Sequence, residues 1–228
     1  MSSQTSAETS KGFRYVIEHM EEDDAATKAL PEWVRLEYSH MLTLVGPSSS
    51  VHWTSLSSSS IPPLRDYLST RPSSTKANLH TEPILTLLPA LSPPVDPSRV
   101  CLLDPRATEV LAPEDADKFD VFLYGGILGD DPPRDRTGEL RKLGFPGRHL
   151  GPVQMTTDTA VGVSKIVVED KIPLDKIPYT DFPTITFNAH ESIEMPFRYV
   201  KDVAGEPILP PGMKEHLKAD LNRTIDEF

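Results

Sequence analysis

Residues 124–137 read YGGILGDDPPRDRT, with three glycines, two prolines and two arginines packed into fourteen positions directly after the apolar run VFLY. A strand that ends in such a loop and is followed by a helix is the repeating unit of an α/β fold, so the neighbours of this stretch decide the class. FDVFLY (119–124), ended by Gly125-Gly126, and RVCLLDP (99–105), ended by Asp104-Pro105, are compact and apolar throughout. Both predict buried parallel strands whose carboxyl ends open into loops. PPRDRTGELRKLG (132–144) predicts a helix that begins at the prolines, where a missing N–H costs nothing, and stops near Gly144. RHLG (148–151) is a short strand candidate, and TTDTAVGVSKIVVED (156–170) predicts a helix with Thr156, Thr157 and Asp158 as capping candidates and Val161, Ile166 and Val167 on its apolar face. The expected class is α/β with a mainly parallel sheet.

Upstream, FRYVIEHM (13–20) reads as a first strand and ALPEWVRLEYSHMLTLVG (29–46) as a helix, with Val34, Tyr38, Met41 and Val45 at helical spacing. Residues 48–60 hold eight serines among thirteen positions around VHWT, and RPSSTKAN (71–78) is a second polar stretch. Both read as surface loops flanking a short strand and the small helix PPLRDYL (62–68), since serine supplies no core. EPILTLLPALSPP (82–94) is apolar but broken by prolines, and its class stays open. Residues 1–12 read as a disordered tail, 13–178 as the main domain, and 179–228 as a small C-terminal annex of short strands and a terminal helix.

With 228 residues and 38% hydrophobic content the chain can bury a substantial core. No apolar run reaches the ~18 residues of a spanning helix, and MSSQTSAETSKG lacks the apolar centre of a signal peptide, so no membrane partner and a cytoplasmic location are expected. The single cysteine, Cys101, fits a reducing compartment and reads as a small buried core residue. The net charge of -11 disfavours nucleic acid and favours basic peptides as partners. The seven histidines show no paired ligand spacing, and HESIE (190–194) lacks the second histidine of a zinc helix, so no metal site is expected.

In open α/β sheets ligands bind beside the carboxyl ends of the strands. Three loops leave such ends: LDPRA (103–107), the glycine loop, and HLGPVQMTTDTA (149–160). Phosphate readings fail on spacing. Tyr124 stands where a dinucleotide fingerprint needs its first glycine, Asp130-Asp131 occupy the place of an anion, and no G-x-x-x-x-G-K-[ST] exists. A nucleoside ligand that carries positive charge and no phosphate suits glycine and acid together, and S-adenosylmethionine is such a ligand.

The stretches GGILGDDPPRDRTGELRKLG (125–144), RHLGPVQMTTDTAVGVSKIVVE (148–169) and ESIEMPFRYVKDVAGEPILPPGM (191–213), in that order, strongly resemble the SPOUT-class arginine N-methyltransferase family, which methylates a ribosomal protein arginine from S-adenosylmethionine. The resemblance implies a deep trefoil knot, a feature ordinary chains avoid, with the cofactor held between three knotted loops largely by backbone groups. On this reading Leu103 and Asp104 border the adenosine, and Leu128 and Leu150 form apolar walls. Gly125, Gly126, Ile127, Gly129 and Asp130 belong to the glycine loop around the donor, and Gln154, Met155, Thr156 and Asp158 line it from the third loop. Arg134 and Arg136 brace the loop or grip the cofactor carboxylate.

An arginine acceptor is protonated at any physiological pH, so carboxylates are needed to grip its N–H edges and receive a proton. Asp131, Glu191 and Glu194 are the catalytic candidates, with Asp130 and Asp158 as further acids and a helix cap as the plainer reading of Asp158. The expected partner is a basic ribosomal protein, with a monomer favoured over the homodimer found among SPOUT enzymes. The competing readings are a SPOUT-class RNA methyltransferase, against which the acidic balance argues, and a non-enzymatic cofactor-binding module.

Overall fold

The computed structural model describes residues 12–20, 23, 29–71, 73–126 and 137–226. In chain order these form β1 (Arg14–Glu18), α1 (Glu32–Val45), β2 (Ser50–Thr54), α2 (Ile61–Ser69), β3 (Lys76–Leu79), α3 (Ile84–Ala90), β4 (Val100–Leu103) and α4 (Asp115–Lys118). There follow β5 (Val121–Gly125), α5 (Thr137–Arg141), β6 (Gly147–Arg148), α6 (Thr157–Val168), β7 (Tyr179–Asp181), β8 (Thr184–Thr186), β9 (Ser192–Glu194), β10 (Arg198–Val200) and α7 (Met213–Asp226). Six strands make one sheet in the order β3-β2-β1-β5-β4-β6, and every neighbouring pair in it is parallel.

The period-2 side-chain alternation of a strand explains why the runs are apolar throughout. Tyr15, Ile17, Cys101, Leu103, Phe122 and Tyr124 face one core, which α1, α2 and α6 cover. Val16, Val100, Leu102, Val121 and Leu123 face a second core, closed by Ile84 and Leu88 of α3, Leu140 of α5, and Phe145. Layers on both faces leave the central strands no exposed side, and Cys101 is buried in the first core as expected, its thiol pushed far up by burial.

The stretch left open has a class, and one loop assignment needs correction. EPILTLLPALSPP contains α3, and the polar stretch RPSSTKAN runs into β3, whose Lys76–Leu79 pairs with β2 as the parallel edge of the sheet. The serine-rich stretch is also more than surface. Its hydroxyls satisfy carboxylates: Ser49 Oγ donates to Glu169 Oε1 at 2.9 Å, beside the Tyr15 hydroxyl of β1 at 2.6 Å, and Ser48 Oγ donates to Glu169 Oε2 at 3.0 Å. Ser49 Oγ also accepts the Phe13 N–H at 2.8 Å, so the end of α6 is tied to the start of β1. Glu169→Ala leaves the buried Tyr15 hydroxyl without its acceptor, and a loss of about 1–3 kcal/mol in urea unfolding is expected; a change near zero contradicts this tie.

After β6 at the sheet edge, the chain returns across the carboxyl ends of β4 and β5 and enters α6, which packs against α1 on the other half of the sheet. This return is where the family resemblance puts the knot. Residues beyond 178 add two antiparallel pairs, β10-β7 and β8-β9, and α7, with a small core of Ile185, Met195, Phe197 and Tyr199. The annex is not free of the main body. β10 packs on α6, and α7 packs on α1.

Candidate active site

The carboxyl ends of β4 and β5 open into a cavity of about 330 Å³, within the size range of small-molecule sites. Each of the three loops singled out in the sequence contributes to it, as far as it lies within the described residues. From β4 come Leu103, Asp104, Pro105 and Arg106, from β5 Tyr124 and Gly125, and from the return segment Leu150 to Met155, joined by Thr137, Arg141, Thr157 and Ala160. Ile127, Leu128, Gly129, Asp130, Asp131, Arg134 and Arg136 lie outside the described residues.

The first wall is a turn. Asp104 C=O accepts the Ala107 N–H at 3.0 Å, with Pro105 at the second position where a turn favours it. The Asp104 carboxylate accepts the Arg106 N–H at 2.9 Å and is gripped at both oxygens by Arg141, with Nε to Oδ2 at 2.5 Å and Nη2 to Oδ1 at 2.7 Å. That grip holds its pKa below the ordinary carboxylate range. Asp104 is therefore occupied in fastening α5 to β4, and its charge is balanced at the cavity wall.

Gly125 and Gly126 divide two tasks. Gly125 lines the cavity. Gly126 does not: its N–H bonds Glu18 C=O at 2.9 Å, and a Cβ there would sit 3.0 Å from that same oxygen. A side chain there would crowd that oxygen, and glycine lets the end of β5 lie this close to the end of β1 without displacing it.

The third wall is held by backbone on both sides. His149 N–H bonds Glu109 C=O at 2.9 Å and Leu111 N–H bonds His149 C=O at 3.0 Å, while Arg198 N–H of β10 bonds Gln154 C=O at 2.8 Å. Between these anchors Gly151 turns at φ +100°, and its N–H bonds His149 Nδ1 at 3.1 Å. Leu150, Gln154 and Met155 line the cavity; Thr156 sits just behind it, its hydroxyl donating to Thr159 Oγ1 at 2.8 Å.

Asp158 does not cap its own helix. Its Oδ2 lies 2.7 Å from His40 Nδ1, so its side chain is turned towards α1. The cap of α6 comes from α1: the Glu37 carboxyl takes the Asp158 backbone N–H. Burial raises the Glu37 pKa well above its ordinary value, and the nearby Asp158 charge raises it further. Sequence reasoning missed Glu37. The available signal was a charged residue beside Val34, Tyr38 and Met41 on the apolar face of α1. An acid with a raised folded pKa stabilises fully below its unfolded value near ~4.3 and loses that contribution as pH climbs towards the folded value. Glu37→Gln, which keeps the capping oxygen, is expected to flatten this decline between pH 5 and 8 in thermal melts; an unchanged slope contradicts it.

The other catalytic candidates lie elsewhere. Glu194 is exposed on β9, and Glu191 accepts a hydrogen bond from the Asn188 side chain at the β8-β9 turn; neither lines the cavity. Among the described residues no group of three or more metal-ligating side chains occurs.

A family model described as SFM1-like, protein arginine N-methyltransferase SFM1-like, matches residues 14–224. The protein arginine N-methyltransferase SFM1 of Saccharomyces cerevisiae is 43% identical over 233 residues, covering 94% of this chain and 99% of that protein. The crystal structure of the yeast arginine methyltransferase SFM1 complexed with SAM superposes with a TM-score of 0.80 at 42% identity, covering 92% of this chain and 91% of that one. A full-length Trm10 in complex with SAH, 13% identical with a TM-score of 0.50 and covering 73% of this chain and 92% of that one, shares the fold alone. The parallel sheet, the return segment over its carboxyl ends and the match along nearly the whole chain lead to one assignment: the chain belongs to the SFM1-like family of protein arginine N-methyltransferases.

Proposed function

We propose that the chain transfers a methyl group from S-adenosylmethionine to an arginine guanidino nitrogen of a basic ribosomal protein. The observation that carries this reading is the cavity at the carboxyl ends of β4 and β5, to which two of the segments that carry the family resemblance, 125–144 and 148–169, contribute most of the lining. Its residues suit the donor. Leu103, Leu150, Val153 and Met155 offer apolar surface for a flat purine, Thr137, Gln154 and Thr157 offer polar groups, and Gly125 and Gly151 leave backbone uncovered by side chains. The Asp104–Arg141 pair keeps the wall rigid and locally neutral.

When bound, S-adenosylmethionine supplies a methyl carbon already activated by positive sulfur. The protein's part is then to hold donor and nucleophile in line and to exclude water, and positioning of that kind accounts for a large share of such rate enhancements. The net charge of -11 supports a cationic acceptor segment over a phosphate backbone. The test offers radiolabelled donor and purified ribosomal subunits to the protein and separates RNA from protein afterwards. Label on an arginine of a basic ribosomal protein is expected; label confined to RNA replaces this reading with an RNA methyltransferase.

A further inference from the structure

The annex reaches the wall of the donor cavity through one residue, Arg198, which opens β10. Its backbone N–H donates to Gln154 C=O at 2.8 Å, and it forms a parallel bridge with Met155. Its guanidinium lies against the same loop three residues earlier: a Cβ on Gly151 would sit 3.9 Å from Nη1. Gly151, Gln154 and Met155 all line the cavity, whereas Arg198 stands behind them.

A long flexible side chain holds a loop only if something fixes it. Here β7 does. Asp181, opposite Arg198 in the β7-β10 register, accepts Nε at Oδ1 (2.6 Å) and Nη2 at Oδ2 (2.8 Å). Two parallel bonds to one carboxylate set the plane of the guanidinium, and the Tyr179 ring, 4.8 Å from Cζ, backs it. With Nε and Nη2 turned to Asp181, Nη1 is the nitrogen left to face the loop. The two side chains are 20% and 39% exposed, and ion pairs in such settings add little stability. What this fork supplies is direction. The opposite side of the loop is already held by the backbone bonds of His149 to Glu109 and Leu111, so Arg198 completes a two-sided clamp.

We propose that Arg198 is a positioning residue for methyl transfer: fixed by Asp181, it holds residues 151–155 in the course that receives S-adenosylmethionine, so that the annex sets donor affinity. The proposal rests on the reading of the cavity as the donor site. A loop free to leave that course receives the donor only for the fraction of time it spends there, and the apparent Kd rises by the inverse of that fraction. Saturating donor draws the loop back into place. Donor Kd and donor KM therefore rise together while kcat keeps its value. Lysine in place of Arg198 keeps the charge but not the planar fork, so it does not restore the clamp.

The test compares Asp181→Asn, Arg198→Lys and the double variant with wild type. It reads S-adenosylhomocysteine Kd by calorimetry, donor KM and kcat with a basic ribosomal protein, and the melting temperature. Asp120→Asn is the control, since Arg99 grips Asp120 through the same Nε and Nη2 at the opposite ends of β4 and β5. Expected is a rise of about tenfold in Kd and donor KM for each single variant, with kcat within about twofold of wild type. The double variant is expected to match the singles, because Asp181 acts through Arg198. Asp120→Asn is expected to keep its Kd within about twofold; a merely structural role for Arg198 would move the melting temperature and leave Kd alone. A wild-type Kd in either single variant, a double variant whose loss is the product of the two, or an equal loss in Asp120→Asn overturns the proposal. Calorimetry decides these outcomes whatever the acceptor. A wild type that binds no S-adenosylhomocysteine would instead remove the donor reading of the cavity.

Discussion

Arg148→Ala is expected to lower stability by about 3–5 kcal/mol, the cost of stripping one partner from a buried ion pair. Arg148, 8% exposed, donates from Nε to Asp115 Oδ2 at 3.0 Å and from Nη2 to Asp115 Oδ1 at 3.1 Å, while Asp115 is 1% exposed. The guanidinium also reaches Glu109 at 3.0 Å and lies over the Phe119 ring at 5.2 Å. It thus pins the segment 109–119 to β6 at the point where the return segment begins. Burial by itself would raise the Asp115 pKa, but hydrogen bonds from Arg148, the Ala112 N–H and Lys118 outweigh it and hold the value below the ordinary carboxylate range. For an acid shifted down, the stabilisation is complete above the unfolded pKa near ~3.9 and disappears as pH falls through the folded value. Urea unfolding at pH 7 is expected to show the full difference between wild type and Arg148→Ala, and the same comparison at acid pH a shrinking one. A difference under about 1 kcal/mol at pH 7 would mean that the pair contributes little beyond its surroundings.

The second large effect falls on donor binding. Gly151 sits at φ +100° on the cavity wall, where a β-branched residue is strained by about 1–3 kcal/mol. Gly151→Val forces the third loop to choose between that strain and a new course, and either choice moves Leu150 to Met155. Since about 1.4 kcal/mol is tenfold in affinity, a loss of roughly 10- to 100-fold in S-adenosylmethionine binding is expected by calorimetry. Gly205, at φ +87° in the turn before Glu206 and outside the cavity lining, is the control. Gly205→Val brings comparable backbone strain and is expected to leave donor affinity within about twofold. Equal losses for the two variants would show general destabilisation in place of a site effect.

The sheet was legible because its strands are buried on both faces. RVCLLDP and FDVFLY have no polar alternation, and parallel strands sandwiched between helices need none. β3 was hidden because KANL is an edge strand with exposed lysine and alanine, so pairing with β2 makes it a strand where side-chain pattern does not. The serines of 48–60 misled for a related reason: hydroxyls supply no core, but they satisfy the carboxylates of Glu18 and Glu169, residues distant in sequence. Leu103, Asp104, Gly125, Leu150, Gln154 and Met155 were readable as neighbours around one cavity because all follow the carboxyl ends of neighbouring strands. Glu37 was not, because its meaning depends on α6 arriving over α1. No local pattern encodes that arrival; it follows from the order in which the chain crosses the sheet.

The central claim, that this cavity delivers a methyl group to arginine, is tested most directly with a deuteriomethyl donor and a basic ribosomal protein, read by peptide mass spectrometry. The account predicts the heavy methyl on an arginine with wild type and its loss with Gly151→Val at subsaturating donor. Heavy methyl on RNA or lysine alone, or undiminished arginine labelling by Gly151→Val, would contradict it.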